Sequence, residues 1–360
     1  MQALPTLALA LVLTVPAAGQ QAERYTLSGD DIAIYNLAGT LTVEPGSGGV
    51  SVQLTRGGAD ASRLGVERGE LNGRETLRVV YPARSIAYAG LEAGSSTTLK
   101  VRDDGTFGDG YDHRHDRDDD DDGARNEGRT VRIARERGDL AGHADLRVGV
   151  PVGSRVSLFL AVGRVSLTNV NGEILVDGHS TPVTATGSRG SLALDVGSGP
   201  VRVSGAEGRL TVDTGSGPVE ISGFSGEELL VDTGSGQVTG SDLKAGTVRI
   251  DTGSGDIELT AVTAPDVALE TGSGSIAAEV RGPLRDLSLE TGSGDISVRA
   301  PASLAGEVEI ETSSGEIETD FPIQVTRHAR DHIVGRIGEG VGRVAIETGS
   351  GDVRLLKLAN

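Results

Sequence analysis

The segment Asp213-Thr-Gly-Ser-Gly-Pro-Val219 is followed by Asp232-Thr-Gly-Ser-Gly-Gln-Val238, Asp251-Thr-Gly-Ser-Gly-Asp-Ile257, Glu270-Thr-Gly-Ser-Gly-Ser-Ile276, Glu290-Thr-Gly-Ser-Gly-Asp-Ile296 and Glu347-Thr-Gly-Ser-Gly-Asp-Val353. Two variants, Asp195-Val-Gly-Ser-Gly-Pro-Val201 and Glu311-Thr-Ser-Ser-Gly-Glu-Ile317, bring the series to eight. The leading acids are 18, 19, 19, 19, 20, 21 and 36 residues apart. A fixed period of this length is the mark of a repeat architecture, in which each unit buries its apolar face only by stacking on its neighbours. The gap of 36 is close to two periods and predicts one level that has lost its motif.

Apolar and polar residues alternate on both sides of each Gly-Ser-Gly, as in Leu210-x-Val212-x-Thr214 and then Val219-x-Ile221. That is the period of two short strands, each with one buried face. The glycines are expected to supply positive φ at a tight bend, and a second, more variable turn closes each unit. Weaker copies at Asp177-Gly-His-Ser-Thr-Pro-Val183 and Gly163-Arg-Val165 extend the register upstream, and Glu44-Pro-Gly-Ser-Gly-Gly-Val50 suggests that the same unit begins near the N-terminus. The prediction is an all-β fold, a β-solenoid of about ten rungs at roughly 4.8 Å each, some 40–50 Å long. A propeller blade needs about 40 residues, twice the observed period, and an immunoglobulin-like array would need aromatic residues and domain-sized spacing.

The same repeat accounts for the composition. Of 360 residues, 54 are Gly, none is Cys or Trp, and only nine are Tyr or Phe. A core of stacked Val, Ile, Leu and Thr needs no aromatics, and the recurrent inward Thr (Thr214, Thr233, Thr252, Thr271, Thr291, Thr312, Thr348) is expected to form a hydroxyl ladder at the bend. Without Cys there are no disulfides, thiolate nucleophiles or Cys-ligated metals. The formal charge of −19, from 52 acids and 33 bases, argues against nucleic acid as a partner. It favours cations and basic surfaces.

Four segments follow from these patterns. Residues 1–19, with an apolar run from Leu4 to Val15 and the small residues Pro16-Ala17-Ala18-Gly19, read as a secretory signal peptide. Residues 20–101 form an N-terminal β region, either first rungs or a cap. Residues 102–128 are an Asp-rich insert expected to be disordered, because charge is dense and apolar residues are few. Residues 129–360 form the solenoid. No segment of the mature chain is apolar enough to cross a membrane as a helix. The expected location is exported: periplasmic, cell-surface or extracellular.

Chemistry-bearing candidates are few. Stacking would bring Asp195, Asp213, Asp232, Asp251, Glu270 and Glu290 into an acidic ladder, where neighbouring charges repel by about 1 kcal/mol in water. Outward acids of this kind keep a sheet face soluble and discourage edge association. In the insert, Asp118, Asp120, Asp122 and Gly123 fit positions 1, 3, 5 and 6 of an EF-hand loop, but position 12 is Arg129 where a bidentate Glu is required. Weak, low-specificity Ca²⁺ binding is the one cofactor reading these residues leave open. His113 and His115 lie in the same insert, and the stretch around His328 and His332 alternates like a strand or loop. No catalytic pair or Ser-His-Asp set is evident, the Gly-Ser-Gly bends lack the Lys of a phosphate loop, and the catalytic residues are read as none. A sugar-processing groove would call for aromatic platforms, yet beyond residue 160 only Phe224 and Phe321 occur.

The repeated Asp/Glu-Thr-Gly-Ser-Gly-(Asp/Pro)-(Val/Ile), the upstream Ala144-Asp-Leu-Arg-Val-Gly-Val-Pro-Val-Gly-Ser-Arg-Val156, and the closing Phe321-Pro-Ile, Gly335-Arg-Ile-Gly338 and Glu347-to-Leu355 segments resemble a family of bacterial β-strand-repeat domains. That family has no assigned function, is regarded as a group of candidate adhesins, and is also called the toastrack domain. The resemblance covers most of the mature chain and implies a non-enzymatic exported protein of the cell envelope or surface. Its partner would be an envelope or surface protein or a glycan. A second implication is a sensory or scaffold module in envelope-stress signalling, and a glycan-active β-helix enzyme is a third reading. The family has no established site residues to transfer.

Overall fold

The computed structural model describes residues 22–108 and 128–358. Residues 1–21, which include the expected signal peptide, lie outside the described residues. So do Asp118, Asp120, Asp122, His113 and His115.

Each repeat contributes a strand up to the Gly-Ser-Gly bend and a shorter one after it, and equivalent strands of successive repeats pair in parallel. Arg189–Ser198 pairs with Glu207–Ser216, which pairs with Ser225–Ser235, which pairs with the first-strand part of Val238–Ser254. After the bend, Val183–Thr186, Val201–Ser204, Val219–Ser222 and Val238–Ser254 stack likewise. The inward alternation is strict: Leu210, Val212, Val219 and Ile221 are buried, as are their equivalents in every neighbouring repeat. Burying each such side chain is worth about 1.5–3 kcal/mol. The step from 18- to 19-residue spacing is a β-bulge: the register shifts between Gly208 and Arg209, where Glu227 is the added residue on the facing strand.

The Thr column is buried at 0–1% exposure but is not a hydroxyl-to-hydroxyl ladder. Thr271 Oγ1 donates to the Gly255 carbonyl at 3.0 Å, Thr291 to Gly274 at 2.8 Å, and Thr348 to Gly294 at 2.9 Å. These hydroxyls satisfy a bend carbonyl of the adjacent level, which an isolated strand could not do, whereas Thr214 Oγ1 reaches the Ser216 carbonyl of its own bend at 3.4 Å and the buried Thr233 hydroxyl has no partner.

The glycines of the bend also differ from expectation. The first Gly of each pair needs no positive φ, while the second has it at Gly199, Gly217, Gly294 and Gly351, with φ from 125° to 150°; both are required because successive bends stack backbone on backbone. A Cβ on Gly274 would lie 2.1 Å from the Gly255 oxygen. A second recurrent positive-φ residue sits at the other turn, as Asn169, Gly187, Gly205, Gly223, Asp242 and Ala261, with φ from 53° to 66°.

The N-terminal region supplies both the first level and a cap. Asp31–Pro45 pairs in parallel with Ser154–Thr168, and His143–Val150 and Arg74–Val80 cover its far side. Antiparallel strands Val50–Gly57, Glu23–Leu27 and Gly65–Leu71 complete this end. Ser85–Ala87, Ser96–Val101 and Arg129–Ala134 form a separate small sheet. The repeating stack therefore resumes at Ser154 rather than at residue 129. The Gly46-Ser47-Gly48 segment is out of register with the other bends: Gly39, not Gly46, pairs with Gly163, and the later glycines turn the chain back into an antiparallel strand.

The other end departs from sequence order. Asp286–Thr291 pairs with Gly342–Thr348, and Gly342–Thr348 pairs with Gly306–Thr312. The last repeat is inserted between its two predecessors. The 36-residue gap holds no lost level: Ile323–His328 and His332–Ile337 form an antiparallel hairpin that caps Gly306–Thr312.

Candidate functional site

Parallel register places one residue of every level in a single outward column: Tyr35, Phe159, Asp177, Asp195, Asp213, Asp232, Asp251, Glu270, Glu290, Glu347 and Glu311. All six acids named from the sequence lie in it. Asp213, Asp232, Asp251, Glu270 and Glu290 are exposed. Partial desolvation on the sheet face raises the Asp213 carboxyl above its ordinary range. Asp232 is raised by desolvation and by the charges of Asp213 and Asp251, and Glu270 by desolvation and by Asp251 and Glu290. The column therefore pays a repulsion that Arg249 relieves only partly at Glu270.

Other outward columns are neutralised across levels. Arg155 meets Glu173 at 2.9 Å, Arg189 meets Glu207 at 3.1 Å, Arg202 meets Glu220 at 2.9 Å and Arg209 meets Glu228 at 3.3 Å. Exposed pairs of this kind contribute about 0–1 kcal/mol each, so their effect is on register and surface potential more than on stability. The acids from Asp213 to Glu311 form no ion pair of this kind among the described residues, and no group of three or more metal-ligating side chains converges there or elsewhere among them. The column is a diffuse negative stripe.

The aromatic head of the column was not legible from the repeat. Tyr35 stacks on Phe159 with centroids 4.2 Å apart and ring planes nearly parallel, at 7°. Phe107 meets Tyr35 edge-on at 6.0 Å and Phe159 at 6.3 Å. Phe107 belongs to the segment expected to be disordered, yet residues 102–108 are ordered: Arg102 N–H donates to the Thr106 carbonyl, and Asp104 accepts from the Thr106 N–H and hydroxyl. An apolar side chain finding an aromatic surface overrides the local charge density.

The strand after the bend carries a second outward feature, a shallow polar groove of about 530 Å³ lined in part by Arg202, Glu220, Thr239 and Glu258. Along it runs a hydroxyl column of Thr168, Thr186, Ser204, Ser222, Ser241 and Thr260, in which Ser204 Oγ donates to Thr186 Oγ1 at 3.2 Å. The sequence signal was available: a hydroxyl residue stands nine positions after Asp177, Asp195, Asp213, Asp232 and Asp251.

His328 and His332 lie on the capping hairpin, with His332 Nε2 3.2 Å from Glu309 Oε1. No helix among the described residues is long and apolar enough to cross a membrane.

No curated protein matches the chain. Two solved structures are similar to it at very low identity. A candidate cell adhesion protein of Clostridium sporogenes is 10% identical, with 94% of this chain and 99% of that one covered and a TM-score of 0.18. A candidate adhesin of Parabacteroides distasonis is 9% identical, with 92% and 96% covered and a TM-score of 0.34. The family model described as Toastrack DUF4097 matches residues 179–356, the stretch that holds the stacked bends, the inward Thr column and the inserted last level, and by that match this part of the chain is a Toastrack β-strand-repeat domain of unknown function.

Proposed function

We propose that this chain is an exported, non-enzymatic binding module of the cell envelope or surface, an adhesin-like protein whose outward columns are its contact surfaces. The observation that carries this reading is the repetition of identical outward chemistry on a rigid frame. Nine carboxylates and six hydroxyls stand in straight columns at one level spacing. Such an array suits many weak, regularly spaced contacts, whose avidity exceeds that of any single one. It does not suit a reaction, which needs a few groups converging on one point. The names of the two structural neighbours agree with the adhesive reading.

Immobilised protein is expected to retain envelope or extracellular-matrix material saturably, and deleting the gene is expected to reduce cell or matrix attachment while leaving envelope-stress induction intact. Loss of stress induction with attachment unchanged would transfer the protein to the sensory class. Measurable turnover of acidic polysaccharides would overturn both readings.

A further inference from the structure

The two segments that end the stack carry nearly the same motif, and their order is the reverse of their order in the chain. Gly306–Thr312 follows Ile296–Ala300 through residues 301–305, a connection of five residues. Residues 281–285, also five, join Ile276–Val280 to Asp286–Thr291, which pair with consecutive levels of the stack. Connection length therefore permits Gly306–Thr312 to sit directly on Asp286–Thr291. The slot is instead filled by Gly342–Thr348, with Val353–Lys357 likewise between Ile296–Ala300 and Ile317–Thr319.

Charge distinguishes the two orders. In the observed one, Arg343 lies between Asp286 and Glu307, and Glu307 is followed by Arg336 of the capping hairpin. The stripe alternates in sign over these four strands, and Asp266, the next residue in the row beyond Asp286, is held by Arg285. Likewise, Ala345 separates Ser288 from Glu309, and Arg354 is 3.6 Å from Glu318. In chain order, Glu307 would face Asp286 across one strand spacing, and like charges directly opposite are destabilising. The inward residues do not discriminate, because Val308 and Ile310 would bury as well as Val344 and Ile346 do. The acid column does not either, since Glu311 and Glu347 are equivalent there.

We propose that the C-terminal end of the stack is a two-state strand-exchange device, in which one slot accepts either Gly306–Thr312 or Gly342–Thr348, and that Arg343 is the residue that selects the inserted order. The alternating stripe is the bias, and the nearly identical motifs make the alternative accessible.

The chain has no cysteine, so paired cysteines in the full-length protein report the order directly. Ser288→Cys with Ala345→Cys are opposite one another in the inserted order, whereas Ser288→Cys with Glu309→Cys are two strands apart. Cysteines whose Cα atoms are beyond about 7 Å do not bridge without backbone movement. Under mild oxidation the 288/345 pair is expected to cross-link at least about tenfold more than the 288/309 pair. Adding Arg343→Glu to both is expected to lower that ratio about tenfold. Equal cross-linking of the two pairs without Arg343→Glu would overturn the bias toward the inserted order. An unchanged ratio in a folded Arg343→Glu protein would overturn the role of Arg343. Should that variant fail to fold, Arg343→Glu combined with Asp286→Lys, Glu307→Lys and Arg336→Glu restores the alternating stripe with reversed sign. The proposal requires this quadruple variant to recover folding and the original ratio; failure to do so would count against it.

Discussion

The N-terminal cap and the repeat stack achieve stability by opposite means. The cap relies on contacts that occur once. Tyr81 is fully buried, its hydroxyl donates to Asn36 Oδ1 at 2.7 Å, and Asn36 Nδ2 donates to the Ala144 carbonyl at 2.7 Å. Burial pushes the Tyr81 phenol well above its ordinary range, so it stays a donor at any physiological pH. The stack repeats one modest contact set many times: an aliphatic pair, a Thr hydroxyl on the neighbouring bend, and glycine backbones in contact. Loss of a unique buried group removes a whole network, whereas loss of one repeated contact is local unless it blocks the stacking itself.

The largest expected effect lies in the cap. Tyr81→Ala should destabilise by about 4 kcal/mol, through the cavity and the orphaned Asn36 amide, read as a drop in denaturant midpoint. A loss below about 1 kcal/mol would show that the cap does not share a cooperative unit with the stack.

Gly274→Ala should cost on the order of 3 kcal/mol, because the added Cβ would meet the Gly255 oxygen at 2.1 Å. Gly234→Ala, where the Cβ would lie 2.7 Å from the Gly215 oxygen, should cost less. Equal losses would mean that conformational freedom, and not backbone contact, explains the glycines.

Ala261→Gly should stabilise by about 1 kcal/mol. Ala261 has φ 57° at a position where Gly187, Gly205 and Gly223 stand in other levels, and the left-handed conformation costs a non-glycine residue roughly 1–2 kcal/mol, offset in part by the greater freedom of unfolded Gly. Thermal melting of the paired proteins measures it.

The smallest effect concerns the acid column. Asp232→Asn should stabilise by about 0.5 kcal/mol at neutral pH and low salt, the scale of exposed charge interactions. Because the folded-state pKa of Asp232 is raised, its penalty is fully present above that pKa and disappears as pH falls through it. The advantage of the variant should therefore shrink on acidification and also on adding salt. A gain that grew on acidification would contradict the repulsive column.

Much of this could be read before any coordinates. The period, the inward aliphatic and Thr positions, and the outward acids all follow from alternation and spacing, because a strand commits every second residue to one face. The groove hydroxyls were legible in the same way, as a recurrence nine residues after the acid. The aromatic head was not, since Tyr35, Phe107 and Phe159 are far apart in the chain and outside the motif.

Local pattern in this chain determines what each residue faces within its own level. It does not determine which level lies beside which. The spacing of 21 residues between Glu290 and Glu311 has the form of a consecutive step, yet Glu347 stands between them. Equivalent inward residues make both orders bury the same apolar surface, so the choice falls to charges that meet only when distant strands are brought together. Only the tertiary structure decides that order, and it also decides why the bends are glycine: the atom that excludes a Cβ belongs to another level of the stack.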